Sequence, residues 1–194
     1  MSKIYQIEPG YFGSSPNNII ILENFIQDND LKIVQDYCFG ITEFKSIPQD
    51  HWDNRVHTAE ILEKTNKKIF NILVQYQMKL KNEIENKFNI KLSDNSPSIV
   101  IWRPGDDQQP HADKQEQDGS PNPYPENDIA SLFYLNDNYD GGEIYFTNQK
   151  ISIKPNAGSA VFFPGDINYT HGVTEVKKNN RFTSPSFWKS QGFV

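Results

Sequence analysis

Sulfur, long apolar runs and surplus positive charge are all scarce in this 194-residue chain, and each scarcity removes a class of protein. Cys38 is the only cysteine, so no internal disulfide can form, no thiolate metal cluster can be built, and a reducing compartment is the simplest setting. No window approaches the roughly 18–20 apolar residues of a membrane span. The opening MSKIYQIEPGYF lacks the apolar run of a secretory signal, so the expectation is a soluble, cytoplasmic protein with no membrane partner. Nineteen basic against twenty-five acidic side chains leave a net charge of −6, which disfavours nucleic acid as a partner, because duplex binding rests on neutralising phosphates. A peptide or protein, or a small molecule, is the better-suited substrate. Hydrophobic residues make up only 36% of the chain, and aromatics at 13% compensate because each ring buries a large area.

The length suits one domain, spanning 1–194, with a core over about 18–189 and a polar lead-in arm at 1–17. Ile19-Ile20-Ile21-Leu22 reads as a short strand. Asp28 or Asn29 can cap a helix carrying Leu31, Val34 and Cys38, stopped by Gly40. Residues 41–57 are mixed, with one short strand. From 58 to 87 the pattern is helical: Leu62, Ile69, Leu73, Tyr76, Leu80 and Ile84 fall on one stripe, expected to pack on a sheet. After Lys91 the character changes to short strands at 98–102, 129–135, 143–146, 150–153, 159–163 and 182–188, separated by Pro/Gly/Asn turns. Helices first and strands afterwards predict an α+β layout, with a double-sheet jelly roll rather than a parallel sheet. The stretch 114–127, KQEQDGSPNPYPEN, has three prolines and little apolar content; a loop this long predicts a lid or a solvent-exposed excursion.

That loop follows His111-Ala112-Asp113, and His171 comes 58 residues after Asp113, with Arg181 ten further on. On a strand, His111 and Asp113 would point to one face. Two imidazoles and one carboxylate without thiolate suit iron(II), manganese or zinc, and iron held on one face keeps positions open for other ligands. Zinc hydrolysis could use the same three residues. Arg181 adds what zinc chemistry does not require. Asn179-Asn180 reads as a hairpin turn that would return the chain alongside the His171 strand and aim Arg181 into the barrel. A buried guanidinium wants a carboxylate, for which the far end of 2-oxoglutarate is the natural client. His51 and His57 are assigned no role, and Lys177 and Lys178 read as solvated turn charges.

The surrounding segments are Pro104-Gly105 ahead of Pro110-His111-Ala112-Asp113, Leu132-Phe-Tyr134-Leu-Asn136, Gly141-Gly142-Glu143, Pro155-Asn-Ala-Gly158, Ala160-Val-Phe-Phe163, His171-Gly-Val and Arg181-Phe-Thr183. In that order, over roughly 18–189, the chain resembles the 2-oxoglutarate and iron(II)-dependent dioxygenases, in their prolyl 4-hydroxylase-like branch. The resemblance implies a double-stranded β-helix (cupin-like jelly roll) core buttressed by N-terminal helices. It also implies Fe(II), 2-oxoglutarate and O2 as cofactor and co-substrates, and ascorbate as a candidate reductant. His111, Asp113 and His171 would bind iron and Arg181 the far carboxylate. Tyr134 and Thr183 would add hydroxyl donors, against the plain alternatives of a core aromatic and a strand threonine. One departure stands out: Trp102-Arg103 occupies the region where this branch usually places a tyrosine. Prolyl hydroxylation of a peptide or protein is the leading expectation. A hydroxylase of a free amino acid or other small metabolite, and a non-catalytic jelly-roll binding module, are the alternatives.

Overall fold

A computed structural model describes residues 5–47 and 52–193; His51 lies outside them. In chain order the strands are β1 (Ile20–Leu22), β2 (Lys45–Ile47), β3 (Trp52–His57), β4 (Ile90–Leu92), β5 (Ile99–Trp102), β6 (Gln108–His111), β7 (Ile129–Tyr134) and β8 (Asp140–Gly141). They continue as β9 (Ile144–Phe146), β10 (Ile151–Ile153), β11 (Ala160–Pro164), β12 (His171–Val173), β13 (Val176–Lys178), β14 (Arg181–Trp188) and β15 (Ser190–Phe193). Helices α1 (Asp28–Cys38), α2 (Ala59–Thr65) and α3 (Lys67–Phe88) precede most of them.

The strands assort into a large antiparallel sheet, ordered β1-β11-β7-β14-β5-β3-β2, and a small one, β10-β9-β12-β6. Two ribbons, β13-β8 and β15-β4, complete the set among the described residues. This is the double-stranded β-helix, α+β layout expected from the sequence. Strands β5 and β11 of the large sheet are buried on both faces, so they read as unbroken hydrophobic runs. On β5, Ile99 and Ile101 join the cluster beneath the helices, while Val100 and Trp102 point into the barrel. β11 alternates the same way, with Ala160 and Phe162 toward the helices and Val161 and Phe163 inward. Pro185 is tolerated in β14 because β5 pairs only with Arg181, Phe182 and Thr183, so the strand's flank is unladdered at that point.

The helical stripe behaves as expected: Leu62, Ile69, Leu73, Tyr76, Leu80 and Ile84 are all buried against the large sheet's outer face. The expected single helix over 58–87 is two, however. The chain breaks at Asn66 (φ −151°), whose side chain accepts from Ile69 N–H at 3.3 Å and caps α3. Nor do Asp28 or Asn29 cap α1; the N-cap is Gln27, which has no side-chain cap bond. Instead Gln27 N–H donates to the Tyr76 hydroxyl, which donates to Asp30, so the helix start is tied to α3. Residues 5–17 are likewise more than a lead-in: Ile7 is buried in the main core, and a 3-10 turn at Pro16–Asn18 leads into β1. No described helix is long and apolar enough to cross a membrane.

The cap at Asn66 generates a prediction. Asn66→Ala should lower the unfolding free energy by about 1 kcal/mol in urea denaturation, the usual cost of losing an N-cap side chain. An unchanged midpoint would show that the break is imposed by packing alone.

Candidate metal centre

Strands β6 and β12 pair antiparallel, and the register sets His111 directly opposite His171. Their rings stand 4.5 Å apart, centroid to centroid. Asp113 lies beyond the end of β6, not on it, so strand alternation is not what aims its carboxylate. The chain turns after His111, and the Asp113 and Lys114 N–H groups both donate to the Gly165 carbonyl, at 3.0 and 3.2 Å. Gly165 makes that approach possible, since a Cβ there would sit 2.2 Å from the Asn127 carbonyl oxygen. The outcome is a cluster in which His111 Nε2 lies 3.8 Å from Asp113 Oδ1 and His171 Nε2 lies 4.0 Å from Asp113 Oδ2. One ligand atom from each of the three falls within 4.8 Å of the others.

Both imidazoles are held in the tautomer a metal needs. Nδ1 of His111 donates to the Gln109 carbonyl and Nδ1 of His171 to the Tyr169 carbonyl, each at 3.0 Å. That leaves each Nε2 unprotonated within 4.0 Å of the carboxylate, with the Gln108 amide nitrogen also 3.3 Å from that of His111. Burial pushes the pKa of His171 well below the ordinary value, with the His111 charge adding to the effect; burial also lowers that of His111. Two neutral imidazoles and an adjacent carboxylate form a ligand set ready at neutral pH. Asp113 and His171 are buried, whereas a third of the His111 side chain is open, which leaves an approach from the mouth.

The cavity beside the cluster is walled mainly by apolar groups, including Leu132, Ile144, Phe163, Val173, Pro185 and Phe187. Trp102 and Thr183 line it as well, and the indole N–H donates to Thr183 Oγ1 at 3.2 Å. Behind Trp102 lies Arg181, 0% exposed, its guanidinium carbon 5.0 Å from the indole centroid and 5.1 Å from the Tyr134 ring. Register explains the grouping, because Arg181 pairs with Trp102, and Thr183 with both Val100 and Tyr134. Gly142 (φ +67°) makes room, since a Cβ there would meet Arg181 Cδ at 3.0 Å.

None of the three guanidinium nitrogens meets an acceptor among the described residues, and the Tyr134 and Tyr139 hydroxyls are likewise without hydrogen bonds. Burial pushes both phenols up, Tyr139 to about 12, against the pull of the Arg181 charge. Five buried donor atoms thus lack a well-formed hydrogen bond, their contact being the weak one of both phenols with the guanidinium, at several kcal/mol of desolvation cost in total. A planar cation and two phenols suit a carboxylate. The donor set therefore fits iron(II); the orphaned donors have the chemistry of a carboxylate site, though Arg181, Tyr134 and Tyr139 lie behind Trp102 and do not line the cavity.

His111, Asp113 and His171 meet; Arg181, Tyr134 and Thr183 form a second group across Trp102. The expected hairpin is corrected: β14 does not return alongside β12 but crosses to the large sheet between β7 and β5, while β13 pairs with β8. Asn179 (φ +59°) turns the chain from one sheet to the other, which is how Arg181 still enters the barrel. Of the two readings of 114–127, the exposed excursion fits residues 116–118, which are exposed. Lys114 and Gln115 are buried, and no residue of that segment lines the cavity. Tyr139 and Gln108 were overlooked in the sequence. Tyr139 sits inside a run read as mere turn, where a bulky aromatic was the available signal. Gln108, three residues before His111, brings its amide nitrogen to 3.3 Å from His111 Nε2.

Residues 98–189 match the family model described as the 2OG-Fe(II) oxygenase superfamily. Prolyl 3-hydroxylase 2 of Mus musculus is 36% identical over 66 residues, and so is that of Homo sapiens; the match takes in 31% of this chain but only 9% of each relative. Among solved structures, a viral collagen prolyl hydroxylase from Paramecium Bursaria Chlorella virus-1, in its 2OG complex, superposes with TM-score 0.61 at 17% identity, over 91% of this chain and 98% of that one. A Trichoplax adhaerens prolyl hydroxylase in complex with a hypoxia inducible factor peptide fragment gives 0.65 at 16% identity, over 91% and 85%. A Pseudomonas putida prolyl-4-hydroxylase gives 0.63 at 14%, over 89% and 92%. These likenesses show a shared fold.

The depressed histidines predict a pH dependence. In the unfolded chain His171 binds a proton near pH 6.5, while in the folded chain it stays neutral, so the unfolded state holds more protons below that pH. The metal-free protein should lose stability as pH falls from about 6.5, by up to about 1.4 kcal/mol per pH unit, until the folded pKa is reached. Urea midpoints between pH 7.5 and 5.5 would show it, and the slope should shrink in His171→Gln.

Proposed function

We propose that this chain, whose residues 98–189 match the 2OG-Fe(II) oxygenase superfamily model, is an iron(II)- and 2-oxoglutarate-dependent dioxygenase that hydroxylates a prolyl residue in a peptide or protein. The observation that carries this reading is a His/Asp/His cluster whose cavity ends at a wall backed by a fully buried arginine without an acceptor. The names of the similar proteins, a collagen prolyl hydroxylase and a prolyl hydroxylase in complex with a hypoxia inducible factor peptide fragment, support the substrate class.

His111, Asp113 and His171 would hold iron on one face through two imidazole nitrogens and one carboxylate oxygen. When bound, iron(II) couples the oxidative decarboxylation of 2-oxoglutarate by O2, giving succinate and carbon dioxide, to hydroxylation of an unactivated C–H bond. Arg181 would take the far carboxylate of 2-oxoglutarate in its planar fork. Tyr134 would donate its phenol hydrogen to the same group, with Tyr139 beside it. Thr183 already accepts from Trp102, so its own hydroxyl hydrogen is free to be donated into the cavity. The apolar wall from Leu132 to Phe187 would keep water from the reacting carbon. Ascorbate would serve as an external reductant restoring iron(II). The lone, buried Cys38 fits a reducing compartment such as the cytoplasm.

The test is an anaerobic titration of iron(II) and 2-oxoglutarate, watched for the weak visible charge-transfer band of the chelate. It is followed by succinate release against proline-containing peptides and free amino acids. Stimulation by metabolites and not by peptides would move the substrate to the small-molecule class. No 2-oxoglutarate consumption under any condition would sink the dioxygenase reading.

Arg181 yields a prediction with two opposite signs. Arg181→Ala should weaken 2-oxoglutarate binding by roughly 2–4 kcal/mol, the scale for truncating a buried charge partner. Arg181→Met should leave the apo protein as stable as the parent, or up to about 4 kcal/mol more so, because an uncompensated buried charge is replaced by an apolar chain. Loss of stability in Arg181→Met together with unchanged co-substrate affinity would assign the residue to the fold. Asp113→Ala should abolish iron-dependent turnover, and parental turnover in that variant would remove Asp113 from the site.

A further inference from the structure

Lys114 follows the carboxylate of the cluster directly, in a segment whose composition suggests solvent, yet it is 2% exposed. Its ammonium donates to the Ile7 carbonyl at 2.6 Å and to Asp128 Oδ1 at 2.5 Å, with the ring of Tyr5 5.1 Å away. Asp128, as deeply buried, also accepts from Ile7 N–H at 3.2 Å and Ser190 N–H at 2.9 Å. Residues 5–10 run across this surface and are fastened at both ends. The Tyr5 hydroxyl donates to the Gly119 carbonyl at 3.1 Å, and Gly10 N–H donates to Asp166 Oδ2 at 2.8 Å.

A buried ion pair recovers its desolvation cost only when its remaining hydrogens and lone pairs are met. Ile7 meets both halves, offering its carbonyl to the ammonium and its N–H to the carboxylate. The N-terminal segment therefore completes an ion pair whose other members lie 107 and 121 residues further along the chain. The pair in turn shares a backbone brace with the metal cluster. The Gly165 carbonyl holds the N–H groups of Asp113 and Lys114 together, and Gly165 N–H donates to the Asp128 carbonyl at 2.9 Å.

We propose that residues 5–10 are a strap which, through Lys114 and Asp128, holds the Asp113 carboxylate where a metal ion requires it, making Lys114 and Asp128 positioning residues of the metal centre. This rests on the reading of Asp113 as a ligand. Partners that orient metal ligands typically govern affinity about 10–100-fold. Coupling is reciprocal: if the docked strap favours metal binding, metal binding must favour the docked strap by the same factor.

Cobalt(II), followed by its visible absorption, is the probe. Deleting residues 1–10 should raise the cobalt dissociation constant about 10–100-fold in protein whose near-UV circular dichroism stays that of a folded core. Ile7→Asp, which sets a second carboxylate against Asp128, should do the same. A merely structural strap would lower the melting temperature and leave the cobalt constant of the folded protein alone. In the intact chain, saturating cobalt should slow amide hydrogen exchange at Ile7 and Gly10 by at least about tenfold, a measurement that needs no variant to fold. Cobalt binding with unaltered exchange at those two amides, or equal cobalt affinity in the folded truncated chain, overturns the strap. Failure of the intact chain to bind cobalt overturns the metal reading, and the strap with it.

Discussion

Two strands whose histidines lie sixty residues apart in sequence pair so that His111 and His171 face each other, and the site follows from that register. A slip of one residue would turn His171 to the opposite face of the sheet and dissolve the cluster. The register is held from both sides, because β12 also pairs with β9, where His171 stands opposite Phe146. With two imidazole nitrogens placed by the sheet, a single turn supplies the third ligand. That turn is shaped by the Gly165 carbonyl rather than by strand alternation, so the carboxylate depends on a loop that tertiary contacts must hold.

The barrel interior is expensive to build. Arg181 is buried without an acceptor, two phenols beside it have none, and two imidazoles are kept neutral by burial. None of these choices favours folding, since each buries polar atoms for less than they would gain in water. The offset comes from the other side of the same strands, where α3 lays Ile69, Leu73, Tyr76, Leu80 and Ile84 against Ile99, Ile101, Phe133 and Phe162. The large sheet thus separates two environments: a helical face that stabilises and a barrel face that binds. Concentrating unsatisfied groups where a ligand would satisfy them is the expected exchange of stability for function.

Much of the fold was legible because hydrophobic periodicity survives in the chain. The stripe from Leu62 to Ile84 and the strand runs near 99–102, 129–134 and 160–164 all stand close to where the pattern puts them. What was hidden is local chemistry with a distant cause. The break at Asn66 is a cap that interrupts a stripe without disturbing it, since seven residues from Leu62 to Ile69 keep phase across the gap. The start of α1 at Gln27 is set by the Tyr76 hydroxyl, which no local signal announces. Tyr139 was concealed in a turn, and Lys114 looked solvated because its partners, Ile7 and Asp128, come from elsewhere.

The chemistry available to this chain was decided by its residue types and their order: imidazole, carboxylate, imidazole and guanidinium, on segments whose alternation made strands. Those are local properties, so a linear string can carry them. Which donors meet, and which are left facing nothing, only the tertiary structure decided. β14 joined the large sheet rather than the His171 strand, and that crossing set Arg181 behind Trp102 and beside Tyr134. Strand partnership is a competition among all strands for burial, and a sequence states each candidate without stating the winner.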